Sequence, residues 1–161
     1  MASGPTRIDP EERISMSSSA PSVNPTTTIP ALRAYTIFLG LTVFFIVVQA
    51  LTAGEFITDG LADDARQTWT DVHGFVAYPV MVFALVAAVI AFARLKAPRS
   101  LVVASAALFV GCVAQWLLGH AITTLGMDWV VPIHVVVAFV IYGLAIWLSV
   151  RSAMLRRNTT R

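Results

Sequence analysis

The sequence predicts an all-α integral membrane protein: an antiparallel four-helix bundle of two repeated helical hairpins, preceded by a disordered N-terminal tail. Three observations predict it. Of 161 residues, 57% are hydrophobic and only 12% charged, whereas soluble domains carry roughly a quarter charged residues. The mean hydropathy of +0.77 agrees. Four apolar runs, each long enough to cross about 30 Å of hydrocarbon at 1.5 Å per residue, follow one another across short connections.

Residues 1–30 hold Pro5, Pro10, Pro21, Pro25 and Pro30 in a Ser/Thr-rich stretch with few large apolar groups. Such a segment cannot bury enough surface to fold alone, so a disordered cytoplasmic tail is expected. No apolar run follows its charges before Pro30, so it does not read as a signal peptide. The spans then read Ala34–Gly54, Val72–Ala93, Leu101–Ala121 and Val130–Val150, nearly free of ionisable groups other than histidine. In lipid the backbone must satisfy its own hydrogen bonds, so each run is a helix. Pro79 and Pro132 fall within and near the start of spans, where they can kink or initiate a helix. Connections at 55–71, 94–100 and 122–129 are short enough to make neighbours antiparallel. The bundle accordingly covers residues 31–151, and 152–161 form a second, basic cytoplasmic tail.

Charge placement orients the bundle. Arg7, Arg13, Arg33, Arg94, Lys96, Arg99, Arg151, Arg156, Arg157 and Arg161 share one side, and only Arg66 lies on the other. Glu55, Asp59, Asp63, Asp64, Asp71 and Asp128 accompany Arg66. The positive-inside rule places both termini in the cytoplasm of a bacterial cell with the protein in its cytoplasmic membrane. Trp69, Trp129 and Trp147 sit near span ends as interface anchors. The net charge of +2 therefore reports topology. No basic groove with interleaved aromatics accompanies it, so nucleic acid is not an expected partner. The single cysteine, Cys112, excludes an intrachain disulfide framework and a zinc ribbon.

A repeat underlies the spans. The first ends Gln49-Ala-Leu-Thr-Ala-Gly54 and the third Gln115-Trp-Leu-Leu-Gly119-His120. On the return helices His73 is followed at +4 and +11 by Ala77 and Ala84, and His134 by Ala138 and Ala145. These offsets keep the alanines on the histidine face, leaving room beneath the rings. His73 and His134 enter roughly 6–8 Å below the outer tryptophans at the helical rise. His120 ends the third span at similar height, so three histidines gather in the outer leaflet.

An ionisable group inside a span is costly and usually functional. One reading is heme b, held without covalent attachment between His73 and His134, since no Cys-x-x-Cys-His signature is present. Asp71 or Gln115 would then support an imidazole N–H, and Arg66 would meet propionates. A second is a divalent-metal site for zinc or copper, with His73, His134 and His120 joined by Asp71, Glu55 or Asp128. A third is a cofactor-free accessory subunit of a respiratory or other membrane complex. There the histidines bond Gln49, Gln115 or backbone carbonyls and join helices. No Ser/His/Asp elbow, phosphate loop or buried carboxylate pair speaks for an enzyme, and Cys112 reads as a small apolar filler.

The segments VVQALTAGEF, WTDVHGFVAY, VAQWLLGHA and PIHVVVAFVIYGLAIWL resemble a family of small four-span bacterial membrane proteins, especially actinobacterial ones. That family has Gln near the end of odd spans and His at the start of even ones. More distantly, residues 35–150 resemble one four-helix half of heme A synthase, whose heme-ligating histidines lie on the second and fourth helices. The resemblance implies a heme-capable fold with His73 and His134 as ligands. Trp69, not an acid, stands four residues before His73, so it implies no activity.

Overall fold

A computed structural model describes residues 28–95 and 98–159; the expected tail up to residue 27 lies outside the described residues. Four helices account for nearly all of them: α1 (Thr28–Phe56), α2 (Asp63–Ala93), α3 (Arg99–Leu125) and α4 (Val131–Thr159). A 3-10 turn, Asp128–Val130, leads into α4. All four helices are long and apolar enough to cross a membrane, and the protein is a multi-pass, all-α membrane bundle.

The helices overrun the spans read from hydropathy. Polarity ends a membrane span, but it does not end a helix. Asp63 and Asp64 occupy the first turn of α2, where carboxylates suit the positive end of the macrodipole. The first connection therefore shrinks from 55–71 to 57–62. Similarly α4 continues beyond residue 150 to Thr159, with Arg156 and Arg157 in its last turn. Residues 28–30 belong to α1, and Pro30 lies in its first turn, where a missing N–H costs little. Pro79 sits inside α2 without ending it. The turns use glycine where the backbone needs it: Gly60 (φ 79°) in the first connection and Gly126 (φ 64°) at the end of α3. Both are left-handed positions that a Cβ would strain.

The helices form a square, α1 against α2, α2 against α3, α3 against α4 and α4 back against α1; no diagonal backbone pair meets among the described residues. Each contributes a buried seam at alternating three- and four-residue steps: Leu32, Tyr35, Leu39, Thr42 on α1; Val80, Ala84, Ala87, Ala91 on α2; Leu101, Ser105, Leu108, Cys112 on α3; Ile141, Ala145, Leu148, Ser152 on α4. This is the 3.5-residue repeat of intertwined helices. Small and hydroxyl-bearing residues line much of it, as close approach in lipid requires. Large apolar groups also point outward: Phe92 is 79% exposed and Phe139 73%. A surface of that kind belongs in a bilayer.

The seams also establish the repeat. Val80 and Ile141, 61 residues apart, are each 6% exposed, and Ala84/Ala145, Ala87/Leu148 and Ala91/Ser152, at the same separation, are 0% each. On the odd helices, Tyr35/Leu101, Leu39/Ser105 and Thr42/Leu108, each 66 apart, are likewise all buried. One diagonal link joins the core. The Ser105 hydroxyl donates to the Leu101 carbonyl at 2.8 Å, so the Tyr35 hydroxyl, 2.8 Å from Ser105 Oγ, is the donor of that pair.

Candidate functional site

Continuing each seam toward the end that carries the 57–62 and 126–130 connections gives Gln49, His73, Gln115 and His134. The 61- and 66-residue separations hold for them too. Each glutamine reaches the histidine helix beside it. Gln49 Nε2 donates to the His73 backbone carbonyl at 2.8 Å, and Gln115 Nε2 to that of His134 at 2.9 Å. The polar layer is thus a pair of equivalent α1–α2 and α3–α4 clasps.

Both histidines are half-buried. Their surroundings then diverge. His73 Nδ1 lies 3.0 Å from the Gln49 carbonyl oxygen. A carbonyl only accepts, so Nδ1 carries the proton and Nε2 is left with its lone pair. Thr52 Oγ1 lies 3.1 Å from the same Nδ1 and donates to the same Gln49 carbonyl at 3.0 Å. Phe56 meets the His73 ring edge-on, centroids 5.4 Å apart at 81°. His134 Nδ1 is buried and makes no hydrogen bond of good geometry, although the Gln115 backbone lies close enough to act on the ring; the side-chain carbonyl oxygens Oε1 of Gln49 and Gln115 are buried without a partner. The His134 ring rests on Gly119: a Cβ there would come within 3.3 Å of its Cε1.

The residues beneath this layer are small. Ala77 and Ala138 are half-buried, and Ala84 and Ala145 fully buried, all on the histidine face as expected.

Other expected members of the site lie elsewhere. His120 is exposed; its ring stacks on Trp116 (5.6 Å, 15°) and its Nδ1 pairs with Thr124 at 3.2 Å. Five residues past Gln115, it stands about 140° round the helix from the seam. Asp71 is also exposed and accepts from Gln67 Nε2 at 2.9 Å. Two residues from His73 is about 200° of rotation, so the two side chains point apart. The imidazole support expected of Asp71 comes instead from the Gln49 backbone and Thr52, and the Gln115 side chain bonds the His134 backbone. Arg66 Nη1 donates to the Phe56 carbonyl and holds the first connection; the guanidinium keeps further donors. Glu55 and Asp128 are exposed. Among the described residues no three His, Cys, Asp or Glu side chains gather into a metal cage, so the histidine–carboxylate ligand set does not assemble. Thr52 was missed in the sequence, although its place three residues after Gln49 puts it on the same face. Set against family models, curated proteins and solved structures, the chain matches none.

Proposed function

We propose that the protein binds one b-type heme between His73 and His134 and serves electron transfer or heme handling beside a respiratory complex. It would do so in a bacterial cytoplasmic membrane, with both termini cytoplasmic. The observation that carries the reading is His73: its Nδ1–H is anchored on a backbone carbonyl, the arrangement that fixes an imidazole with Nε2 free for a metal. Its equivalence with His134, on the diagonally opposite helix and at the same layer, supplies the second ligand. Iron held this way supplies one-electron chemistry. The chain itself orients the imidazoles, spaces the helices with alanine and keeps water out from below through the sealed seam. Arg66 stands at the heme-side end with donors to spare.

The test is a spectrum. Purified protein in mild detergent, supplied with hemin and reduced, is expected to show a Soret band and a sharp α-band. The double variant His73→Ala/His134→Ala is expected to show neither. A wild type that stays colourless after hemin addition would overturn the reading.

One observation favours a second reading, a cofactor-free accessory subunit. The Gln49 and Gln115 clasps already tie each hairpin without any ligand, as interhelical bonds in membranes do. This reading expects a colourless protein that co-purifies in fixed stoichiometry with subunits of a larger membrane complex.

A further inference from the structure

The end of the bundle away from the histidines carries a belt of positive charge. Arg33, Arg94, Arg99 and Arg151, one on or just beyond each helix, are all exposed. Every Asp and Glu among the described residues stands at the opposite end, so the described bundle offers these guanidiniums no carboxylate. Helix length fixes their level. Arg33 and Arg99 are 66 residues apart, the separation of equivalent positions on α1 and α3. Counted along the helices from the glutamine–histidine layer, Arg33 and Arg99 lie 16 residues away, Arg151 17 and Arg94 21. At the helical rise they occupy a band about 8 Å deep that begins about 24 Å below that layer. The layer itself lies roughly 6–8 Å below the outer tryptophans, so the belt begins where about 30 Å of hydrocarbon ends. Between Arg94 and Arg99 the chain turns back at once and buries Leu95 and Leu101, which leaves the two arginines flanking the turn at the rim.

We infer that this belt binds anionic phospholipid, whose phosphodiester headgroups pair with the arginines and enrich the lipid around the protein in negative charge. The sign is complementary, and the depth is that of lipid phosphate. The outward residues next to the belt, Ile37, Phe92, Val103 and Val150, are exposed and apolar and receive the acyl chains. The cation is arginine at all four positions, and its planar fork takes two phosphate oxygens at once, where an ammonium acts as a point charge. The inference stands apart from the heme reading. It concerns the finished protein, whereas lysine and arginine bias acts during insertion.

Protein reconstituted in phosphatidylcholine vesicles with traces of spin-labelled lipid tests it, the readout being the fraction of label immobilised at the protein surface. Labelled phosphatidylglycerol is expected to be favoured over labelled phosphatidylcholine by about fivefold, the effect of one basic residue near a charged surface. In about 1 M salt the screening length falls to about 3 Å, and the wild type is expected to lose most of that preference. The variant Arg33→Gln/Arg94→Gln/Arg99→Gln/Arg151→Gln, checked for native helicity by circular dichroism, is expected to prefer phosphatidylglycerol by less than about twofold. Arg33→Gln/Arg99→Gln, a milder change, is expected to fall to about threefold. Soluble glycerol phosphate, which has the headgroup without the chains, is expected not to displace the label. Equal immobilisation of the two labels by the wild type overturns the inference. So does a preference unchanged in high salt or in either folded variant, and displacement by glycerol phosphate overturns the lipid as occupant.

Discussion

Tyr35 and Thr52 show what single hydroxyl groups do in this core. Both are buried, both bond across helices or to a carbonyl, and they sit near opposite ends of α1. Tyr35→Phe keeps the ring but leaves Ser105 Oγ without its donor. Thr52→Val keeps the shape but removes the hydroxyl from Gln49 and His73. Each is expected to cost about 1 kcal/mol, within the measured range for interhelical bonds in membranes. Seventeen residues of helix separate them by about 25 Å, so the double variant is expected to cost the sum within about 0.5 kcal/mol. Unfolding in mixed micelles of rising sodium dodecyl sulfate measures all three; a double cost far from the sum would mean the two ends are coupled. At this scale the sequence was half legible. Gln49, Gln115, His73 and His134 stood out because polar groups are rare in spans, and their pairing followed from the repeat. Thr52 did not stand out, because a threonine in a membrane helix is unremarkable until the neighbouring ring is seen. Asp71 and His120 misled for the opposite reason: nearness along the chain for Asp71, and equal height in the membrane for His120, were taken for proximity in space, and helical rotation carries both away from the seam.

The helices themselves were legible in number, order and direction, and less so in their ends and faces. Hydropathy detects the slab that a helix crosses, so it missed the turns at Asp63–Asp71 and beyond residue 150. Ser152, fully buried, shows that packing continues past the expected boundary of the bundle. Nor could an apolar stripe mark the core, because outward faces meet lipid and are as apolar as the inside. On α2 size distinguishes them instead: Ala84, Ala87 and Ala91 face in, Val82, Val89 and Phe92 face out. Substitutions should sort by face accordingly. Ala84→Leu forces extra volume into a position with 0% exposure and is expected to cost about 1–3 kcal/mol. Val89→Leu, at a 54% exposed position, is expected to change stability by less than about 0.5 kcal/mol. The same detergent titration distinguishes them. Equal losses at both positions would mean that the outward face is packed against something other than lipid.

Charge acts on the molecule as a whole. Arg33, Arg94, Arg99, Arg151, Arg156 and Arg157 lie at the end carrying the 94–98 connection and the far ends of α1 and α4. Glu55, Asp59, Asp63, Asp64, Asp71 and Asp128 lie at the other, beside the histidine–glutamine layer. Helix geometry separates the two ends but does not say which faces the cytoplasm; lysine and arginine bias decides that during insertion. The proposed orientation is therefore testable independently of any cofactor. Cys112 is buried at 4% exposure and provides a silent background for a membrane-impermeant maleimide. Thr58→Cys introduces a thiol at the acidic end, and Ser100→Cys one at the basic end; both positions are exposed. In intact cells stripped of outer layers, Thr58→Cys is expected to label and Ser100→Cys to stay unlabelled. Inside-out vesicles should show the converse. The reverse pattern would put the histidine layer on the cytoplasmic side, where a heme would meet soluble reductants instead of partners across the membrane. The orientation thus determines which redox partners the His73–His134 layer can reach, and the labelling experiment comes before any search for them.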